Sequence, residues 1–399
     1  MQSGWRIGSI LGIPLYLDTS WFIILVLVTF VYGSNPTWQE TWGMGSWGLG
    51  FALALLLFGS VLLHELGHSL VARSQGIQVN SITLFLFGGI AAIESESKTP
   101  GQALQVAIAG PAVSFALYLG LTLVILAADL PLAAQVVLGS VAQINLVLTL
   151  FNLIPGLPLD GGQVLKAIVW KVTNSRLKGV RWAARAGQVL GWTAIAGGVL
   201  SYLAQPRLDV IWIVLIGGFA VRNAAAYGRV ADLQETLSGL TAMDAMQREF
   251  RVIDAEMTLR EFADEVVMQT GRSPVYFAAS DGRYRGLVSM DDVRTVERSQ
   301  WETLTLLDVV HPLREIPTVR ETAPLAQVID QLETQQLVRI TVLTPADAVA
   351  GVIDRGDIVR AVGNKMNLTI SAAVIQRIKE EGKYPPGLRL PALAKAILE

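Results

Sequence analysis

The residues with the clearest chemical potential are two histidines in the segment His64-Glu65-Leu66-Gly67-His68. In an α-helix, this spacing places both imidazoles on one face, one turn apart. Each ring can then offer a nitrogen to the same metal ion, and Glu65 beside them is suited to proton transfer. The whole chain has only three histidines. The pattern therefore predicts a metal site with an adjacent general base.

A ligand that could complete this site lies in a second segment, residues 152–162, which is rich in Pro and Gly. A catalytic zinc ion uses three protein ligands and leaves its fourth position to water. Asp160 is the only acid in the segment, so we expect it to be the third ligand. The simpler alternatives are that the histidines are core residues, that Glu65 only orients a ligand, and that Asp160 caps a helix.

Asn152, at the start of the same segment, has two interpretations that remain open. Its amide could donate a hydrogen bond to a developing oxyanion. It could equally satisfy backbone groups that Pro155 and Pro158 leave without partners. The residue is therefore a candidate catalytic group on the first interpretation alone.

The composition divides the chain into an apolar and a polar part. Of the 399 residues, 52% are hydrophobic, and 20 of the first 230 are charged against 44 of the last 169. The apolar runs predict about six transmembrane helices, at residues 19–32, 47–72, 103–128, 134–153, 186–203 and 210–227. The histidine pair falls inside the second span. Because ionisable groups are costly in hydrocarbon, their presence there indicates a functional site.

The basic residues predict the orientation of these spans. Six spans place Arg73, Lys98, the cluster at 166–185, Arg222 and Arg229 on one side, which the positive-inside rule makes cytoplasmic. Both termini are then cytoplasmic, and the histidine pair and Asp160 lie at a similar depth in the cytoplasmic half. We expect a multi-pass protein of a bacterial inner membrane, in contact with the lipid bilayer.

Several classes are excluded or disfavoured by composition. The formal net charge is −2 and no basic run occurs, so we expect no nucleic-acid partner. The chain has no cysteine, which excludes disulfides and thiolate metal ligands. No cleavable signal peptide is evident.

Two stretches near the histidines predict strands. Residues 1–18 are typical of a short strand pair or an interfacial arm, and residues 75–101 of short strands that meet at a glycine turn at 87–89. The open edge of such a pair could bind an extended substrate by strand addition. A purely structural re-entrant hairpin is the alternative. In the third span, Gly110, Ser114 and Ala116 permit close approach of another helix.

The polar part contains two copies of one pattern. After a linker at 231–240, the copies run over 241–300 and 304–363, each with a short helix, an apolar strand, an acidic helix and a strand that ends at a glycine. The apolar part, 1–230, is then one domain and 241–363 a second. The tail, 364–399, has no assigned role.

The two segments together resemble the site-2 protease family of intramembrane zinc metalloproteases. The resemblance rests on His64-Glu65-Leu66-Gly67-His68 and on Asn152-Leu153-Ile154-Pro155 with Leu159-Asp160-Gly161, and it extends to Gly88-Gly89 and to Ala109-Gly110-Pro111. It implies one Zn²⁺ held by His64, His68 and Asp160, with Glu65 as the catalytic acid and base. It also implies hydrolysis of peptide bonds within or beside transmembrane helices of membrane-anchored protein substrates.

The two polar copies resemble a tandem pair of cystathionine β-synthase (CBS) domains. Such pairs commonly bind adenine nucleotides through Gly-x-x-Ser/Thr-x-x-Asp, which Gly286, Ser289 and Asp292 match in the first copy. In the second copy Asp354 replaces the hydroxyl before Asp357. Since an extra acid repels phosphate, we expect at most one good nucleotide site. The alternative is a purely structural or a dimerising role. A dimerising role would make the protein a homodimer through the CBS pair.

The predicted fold is a polytopic α-helical membrane protein with a small β-hairpin region, followed by a cytoplasmic α+β tandem CBS domain that modulates it. Two other functions remain alternatives: a transporter or channel gated by the CBS pair, and an inactive relative that binds membrane proteins. Transport needs no general base between two imidazoles. The presence of both Glu65 and Asp160 argues against an inactive relative.

Overall fold

The computed structural model describes residues 4–86, 88–206, 210–248, 250–267, 275–385 and 387–398. The chain divides into two compact units, Met1–Ala231 and Asp232–Glu399. Of the predicted glycine turn at 87–89, Phe87 lies outside the described residues.

The first unit is mainly helical. Its helices are α1 (Ser20–Gly33), α2 (Pro36–Trp42), α3 (Gly45–Ser74), α4 (Pro100–Ala127), α5 (Leu132–Asn152), α6 (Asp160–Thr173), α7 (Arg176–Ala204) and α8 (Ile211–Ser238), the last of which continues into the second unit. Four of them, α3, α4, α5 and α8, are long and apolar enough to cross a membrane among the described residues. The pair α1 and α2, bent by 69°, adds a fifth if counted as one span. The six predicted spans overlap in position with α1, α3, α4, α5, α7 and α8. Among the described residues α7 does not meet the length and hydropathy that a span requires, so four or five spans are supported where six were predicted.

A four-stranded sheet packs against this helical unit. Its strands are β1 (Trp5–Ile10), β2 (Ile13–Leu17), β3 (Val79–Phe85) and β4 (Gly88–Ile93), in the order β1-β2-β3-β4. The N-terminal pair and the β3–β4 pair are antiparallel hairpins, and β2 runs parallel to β3. Ile13, Leu15 and Ile82 from the sheet are buried with Leu66 of α3. The helix that carries the histidine pair thus packs against one face of the sheet.

The connection between α5 and α6 is irregular and tightly packed. It runs over residues 153–159, and its two prolines cannot continue a helix. A Cβ on Gly161 would lie 2.3 Å from the carbonyl oxygen of Leu153, and one on Gly162 would lie 2.3 Å from the amide nitrogen of Leu157. Only glycine allows the start of α6 to approach this connection so closely. The position of Asp160, the first residue of α6, is fixed by these contacts.

The second unit contains the two copies predicted from the sequence. Its first copy comprises α9 (Ala242–Ala245), β5 (Phe250–Asp254), α10 (Leu259–Val267), β6 (Val275–Ser280), β7 (Arg283–Val288) and α11 (Met290–Arg294). The second comprises β8 (His311–Pro312), β9 (Thr318–Arg320), α12 (Leu325–Thr334), β10 (Arg339–Leu343), β11 (Val349–Asp354) and α13 (Arg355–Lys365). The sheets are ordered β5-β6-β7-β8 and β11-β10-β9, so a strand of the second copy completes the sheet of the first.

The tail forms two further helices that belong to the second copy. They are α14 (Ala372–Glu381) and α15 (Leu390–Leu398). Ile375 and Ile378 of α14, and Leu390 and Ala394 of α15, are buried in the hydrophobic core that α12 and α13 also build. The tail therefore completes the core of this copy by burying apolar surface.

Candidate metal centre

The two histidines of α3 point into the helical unit and face one another. Their Nε2 atoms are 3.3 Å apart, and the residues are only 4% and 9% exposed. One helical turn separates them, as their spacing of four residues predicts. Both rings therefore present their Nε2 atom to one point beside α3.

Helix α4 fixes the orientation of both rings. His68 Nδ1 lies 2.7 Å from the carbonyl oxygen of Val106, and His64 Nδ1 lies 2.9 Å from the hydroxyl of Ser114. Because a carbonyl only accepts, His68 Nδ1 carries the proton and its Nε2 keeps a lone pair. The two helices come this close at Gly67, where a Cβ would lie 2.9 Å from the carbonyl oxygen of Ala109.

Asp160 reaches the same point from the start of α6. Its Oδ2 lies 3.1 Å from Nε2 of His64 and 3.4 Å from Nε2 of His68. A carboxylate in the first turn is also favoured by the positive end of the helix dipole. Two of the three candidate ligands thus come from one helix, and the third comes from a helix that begins nearly one hundred residues later in the sequence.

These distances match the geometry that zinc requires. Zn–N and Zn–O bonds of about 2.0–2.2 Å at tetrahedral angles separate neighbouring ligand atoms by about 3.3–3.5 Å. The triangle formed by the two Nε2 atoms and Oδ2 has edges of 3.1, 3.3 and 3.4 Å. The three side chains, which form the one candidate metal group found among the described residues, therefore fit the ion.

Because Gly110 of α4 has no side chain, it leaves room for the imidazole rings of His64 and His68. A Cβ at this position would lie 2.2 Å from Nε2 of His68 and 2.6 Å from Nε2 of His64. The sequence suggested only that Gly110 permits helix packing. Its contact with both ligand nitrogens is a role that sequence reasoning missed, as is the hydrogen bond between His64 Nδ1 and the hydroxyl of Ser114.

Glu65 lies between the metal centre and the sheet. A Cβ on Gly89 of β4 would lie only 2.4 Å from Cγ of Glu65, so the strand passes directly against this side chain. The backbone amide of Ala91, also in β4, is within hydrogen-bonding reach of the carboxyl group. The sheet order makes β4 a terminal strand among the described residues. A carboxylate, a metal centre and a strand edge are therefore adjacent.

Asn152 is the last residue of α5. Within the described part of the chain, no hydrogen bond of its side chain is recorded, and none joins it to His64, His68 or Asp160. A different asparagine on α5, Asn145, is fully buried and donates to the hydroxyl of Ser60 over 2.8 Å. Asn145 was not predicted from the sequence. Its spacing of four residues from Thr149 places both polar side chains on one face of α5, which is the signal that could have found it.

In the first CBS copy, the predicted nucleotide residues cap a helix. Ser289 precedes α11 as its N-cap, and its backbone amide and hydroxyl donate to Oδ2 of Asp292 over 2.8 and 2.7 Å. The other carboxylate oxygen of Asp292 lies 2.8 Å from Nε2 of His311. Burial raises the pKa of Asp292, but the hydrogen bonds from Ser289 and His311 outweigh it and hold the pKa below its ordinary value.

In the second copy, Asp357 is covered by the tail. The residue is 2% exposed, and its Oδ1 lies 2.7 Å from Nζ of Lys379 on α14, with Arg360 as a further partner. Lys379 also lies 3.3 Å from Asp354, the acid that replaces the expected hydroxyl. A ligand cannot reach Asp357 while α14 occupies this position.

Comparison with protein families gives two matches. The model of peptidase family M50 matches residues 52–136 and 130–194, which include both segments of the metal centre. The model of the CBS domain matches residues 242–298 and 308–364. The tail helices lie beyond the second match.

Individual proteins are similar over nearly the whole chain. A protein of Synechocystis sp. that is named as a zinc metalloprotease is 43% identical over 366 residues, covering 91% of this chain and 96% of that protein. Another so named, from Mycobacterium tuberculosis, is 31% identical over 369 residues, covering 91% and 93%. The solved structure of a site-2 protease from Methanocaldococcus jannaschii is 32% identical and covers 56% of this chain and 95% of that one, with a TM-score of 0.42.

Proposed function

The chain belongs to peptidase family M50 and is a zinc metalloendopeptidase with apolar helices that cross a membrane, and we propose that it cleaves membrane-anchored proteins in or next to their transmembrane segments. The observation that carries this proposal is the position of the three candidate ligands. His64 and His68 lie on α3 and face α4, two helices long and apolar enough to span a bilayer, and Asp160 reaches them from α6. This position supports a substrate whose peptide bond comes from the membrane or its surface.

We assign the zinc ligands to His64 Nε2, His68 Nε2 and the carboxylate of Asp160. Val106 and Ser114 orient the two rings through their Nδ1 atoms. The carbonyl of Val106 fixes the tautomer of His68 that binds metal, and the hydroxyl of Ser114 can accept the Nδ1 proton of His64 in the same tautomer. When bound, zinc polarises the scissile carbonyl and lowers the pKa of water near it.

We assign the proton transfers to Glu65. Its carboxylate takes a proton from the attacking water as the new C–O bond forms at the carbonyl carbon. It then gives this proton to the amide nitrogen as the C–N bond breaks, so that one water is consumed for each bond cut. Asn152 remains the proposed donor to the oxyanion, a role that requires its side chain to face the substrate carbonyl.

We propose that the substrate binds as an extended strand along β4. The strand is terminal in its sheet, and Ile90 on it is 57% exposed. An extended peptide that pairs with β4 gains backbone hydrogen bonds without regard to sequence. Since Gly89 of the same strand touches Glu65, this pairing brings a substrate peptide bond beside the general base. A transmembrane helix must unwind locally to bind in this way.

We propose that both termini and the CBS pair are cytoplasmic, in a bacterial inner membrane, and that the CBS pair modulates cleavage. The proposed means of modulation are an adenine nucleotide bound at Ser289 and Asp292 and a homodimer formed through the CBS pair. Titration calorimetry of the full chain with ATP and AMP tests nucleotide binding. The absence of binding heat with both nucleotides would contradict it.

The direct test of the substrate class uses the purified chain in detergent with a single-span substrate tagged at both ends. We expect two products whose masses place the cut within or beside the apolar segment. Cleavage confined to a long soluble loop of the substrate, far from that segment, would contradict the proposal.

A further inference from the structure

Glu96, Lys166 and Arg176 form a charged group that links the connection before α4 to helices α6 and α7. Glu96 lies in the connection between β4 and α4. Its Oε2 is 2.9 Å from Nη1 of Arg176 and 3.4 Å from Nζ of Lys166. The side chains of the two cations are only 25% and 12% exposed, whereas that of Glu96 is 55% exposed. One carboxylate thus lies against two largely covered cations.

The cations are rigidly held relative to one another. Lys166 lies on α6 and Arg176 begins α7. The two helices touch at this level, because a Cβ on Gly179 of α7 would lie 2.4 Å from the carbonyl oxygen of Lys166. A movement of Lys166 therefore moves both helices. It also moves the start of α6, since Lys166 follows Asp160 by six residues, about 9 Å along the helix axis.

Glu96 is also connected through the chain to α4, which belongs to the other half of the metal centre. It precedes Pro100, the first residue of α4, by four positions. Helix α4 carries Val106 and Ser114, the groups that orient the two histidine rings. The carboxylate of Glu96 consequently ties the helix that orients two ligands to the helix that carries the third.

The electrostatics of the group favour a positioning role over a stabilising one. An ion pair with a half-exposed carboxylate contributes little to the free energy of unfolding. Burial raises the pKa of Glu96, but Lys166 and Arg176 lower it by more. The pKa therefore lies below its ordinary value, and the carboxyl group is charged at neutral pH. Removing this carboxylate takes away the anion that Lys166 and Arg176 share, and with it the two ion pairs that link α6 and α7 to the connection before α4.

We propose that Glu96 is a positioning residue for Asp160. By holding Lys166 and Arg176, it sets the distance between α6 and the helix pair α3–α4, and so the distance from the Asp160 carboxylate to the two Nε2 atoms. The inference rests on the proposed function, because it assumes that these three groups hold zinc.

The test compares Glu96→Gln with Glu94→Gln in the full chain. Glu94 lies in the same connection, is exposed, and makes no ion pair among those recorded for the described residues. Removing a group that orients a metal ligand typically costs 10–100-fold in metal affinity or activity. We expect Glu96→Gln to release zinc to a chelator about tenfold faster and to lower kcat about tenfold, with KM changed by less than about twofold.

Two further measurements separate positioning from general destabilisation. In the Co²⁺-substituted protein, Glu96→Gln should change the visible absorption bands, which report ligand geometry, and Glu94→Gln should not. The double variant Glu96→Lys, Lys166→Glu keeps one acid among two cations, so it should recover part of the zinc retention that Glu96→Lys alone loses.

The outcomes distinguish this inference from the proposed function. If the wild type holds zinc and cleaves, and Glu96→Gln matches it in zinc release, spectrum and kcat, the inference is overturned and the function stands. A lower unfolding temperature with unchanged zinc release and spectrum overturns it as well. If the wild type holds no zinc at the three ligands, the proposed function fails, and the positioning role fails with it.

Discussion

The nitrogen Nε2 of His68 lies so close to Gly110 that a Cβ on this glycine would be 2.2 Å away. Non-bonded heavy atoms pack at about 3.5–4.0 Å, so Gly110→Ala must displace the His68 ring, the His64 ring or α4 itself. We expect the variant to lose zinc and cleavage together, with metal affinity lowered about 100-fold, at the upper end of what a misplaced ligand costs. Metal analysis of the purified variant measures this directly.

Gly120→Ala is the matched control for this substitution. Gly120 lies on the same helix, and a Cβ there would meet nothing within 4 Å. It should therefore keep zinc and activity. Wild-type zinc content in Gly110→Ala would mean that the ligand nitrogens are not where the structure places them.

Gly89→Ala should act on the base and leave the metal in place. The added Cβ would lie 2.4 Å from Cγ of Glu65, which forces either the carboxylate or β4 to move. We expect zinc to be retained and kcat to fall about 100-fold, at the lower end of what a positioned general base contributes. Steady-state kinetics with metal analysis measures both quantities, and Gly101→Ala, where a Cβ would meet nothing within 4 Å, is the control. Loss of zinc from Gly89→Ala would show that the strand supports the ligands and not the base.

Asp160→Ala should lower zinc affinity while both histidine rings stay in place. Its carboxylate lies 3.1 and 3.4 Å from the two ring nitrogens, and two imidazoles alone leave the ion short of the three protein ligands that catalytic sites use. Competition with a chelator should show the loss. Zinc bound at wild-type affinity would remove Asp160 from the ligand set.

Lys379→Met should release α14 from the second CBS copy. Lys379 Nζ lies 2.7 Å from Asp357, which is 2% exposed and would then have Arg360 as its remaining cationic partner. A hydrogen bond to a buried charge contributes about 2 kcal/mol, so hydrogen exchange of the α14 amides should speed up about thirtyfold. Arg377→Met, on the exposed face of α14, should leave exchange unchanged. Equal protection in both variants would contradict the assigned role of Lys379.

Helical periodicity was sufficient to predict the histidine pair. Residues four apart must share a face of a helix, and the two rings do meet, with their Nε2 atoms 3.3 Å apart. The break before Asp160 was also predictable, because Pro155 and Pro158 cannot continue a helix. That Asp160 would reach these rings depended on the packing of α6 against α4, which local sequence does not encode.

The parts that sequence could not supply all depend on how helices cross. Gly110 and Ser114 were expected only to permit close packing, and their contacts with the ligand rings follow from the register of α4 against α3. Glu96 is an ordinary loop acid until α6 and α7 bring Lys166 and Arg176 to it. The tail has no recognisable motif, yet Ile375 and Ile378 belong to a buried core.

We propose that Glu65 moves protons at a zinc ion that it does not itself hold. The most direct measurement determines zinc per chain and cleavage of a tagged single-span substrate for the wild type and for Glu65→Gln. Glutamine keeps the size of the side chain but cannot accept the proton, so the variant should retain one zinc per chain and lose cleavage. Cleavage by Glu65→Gln at the wild-type rate, with zinc bound, would contradict the mechanism.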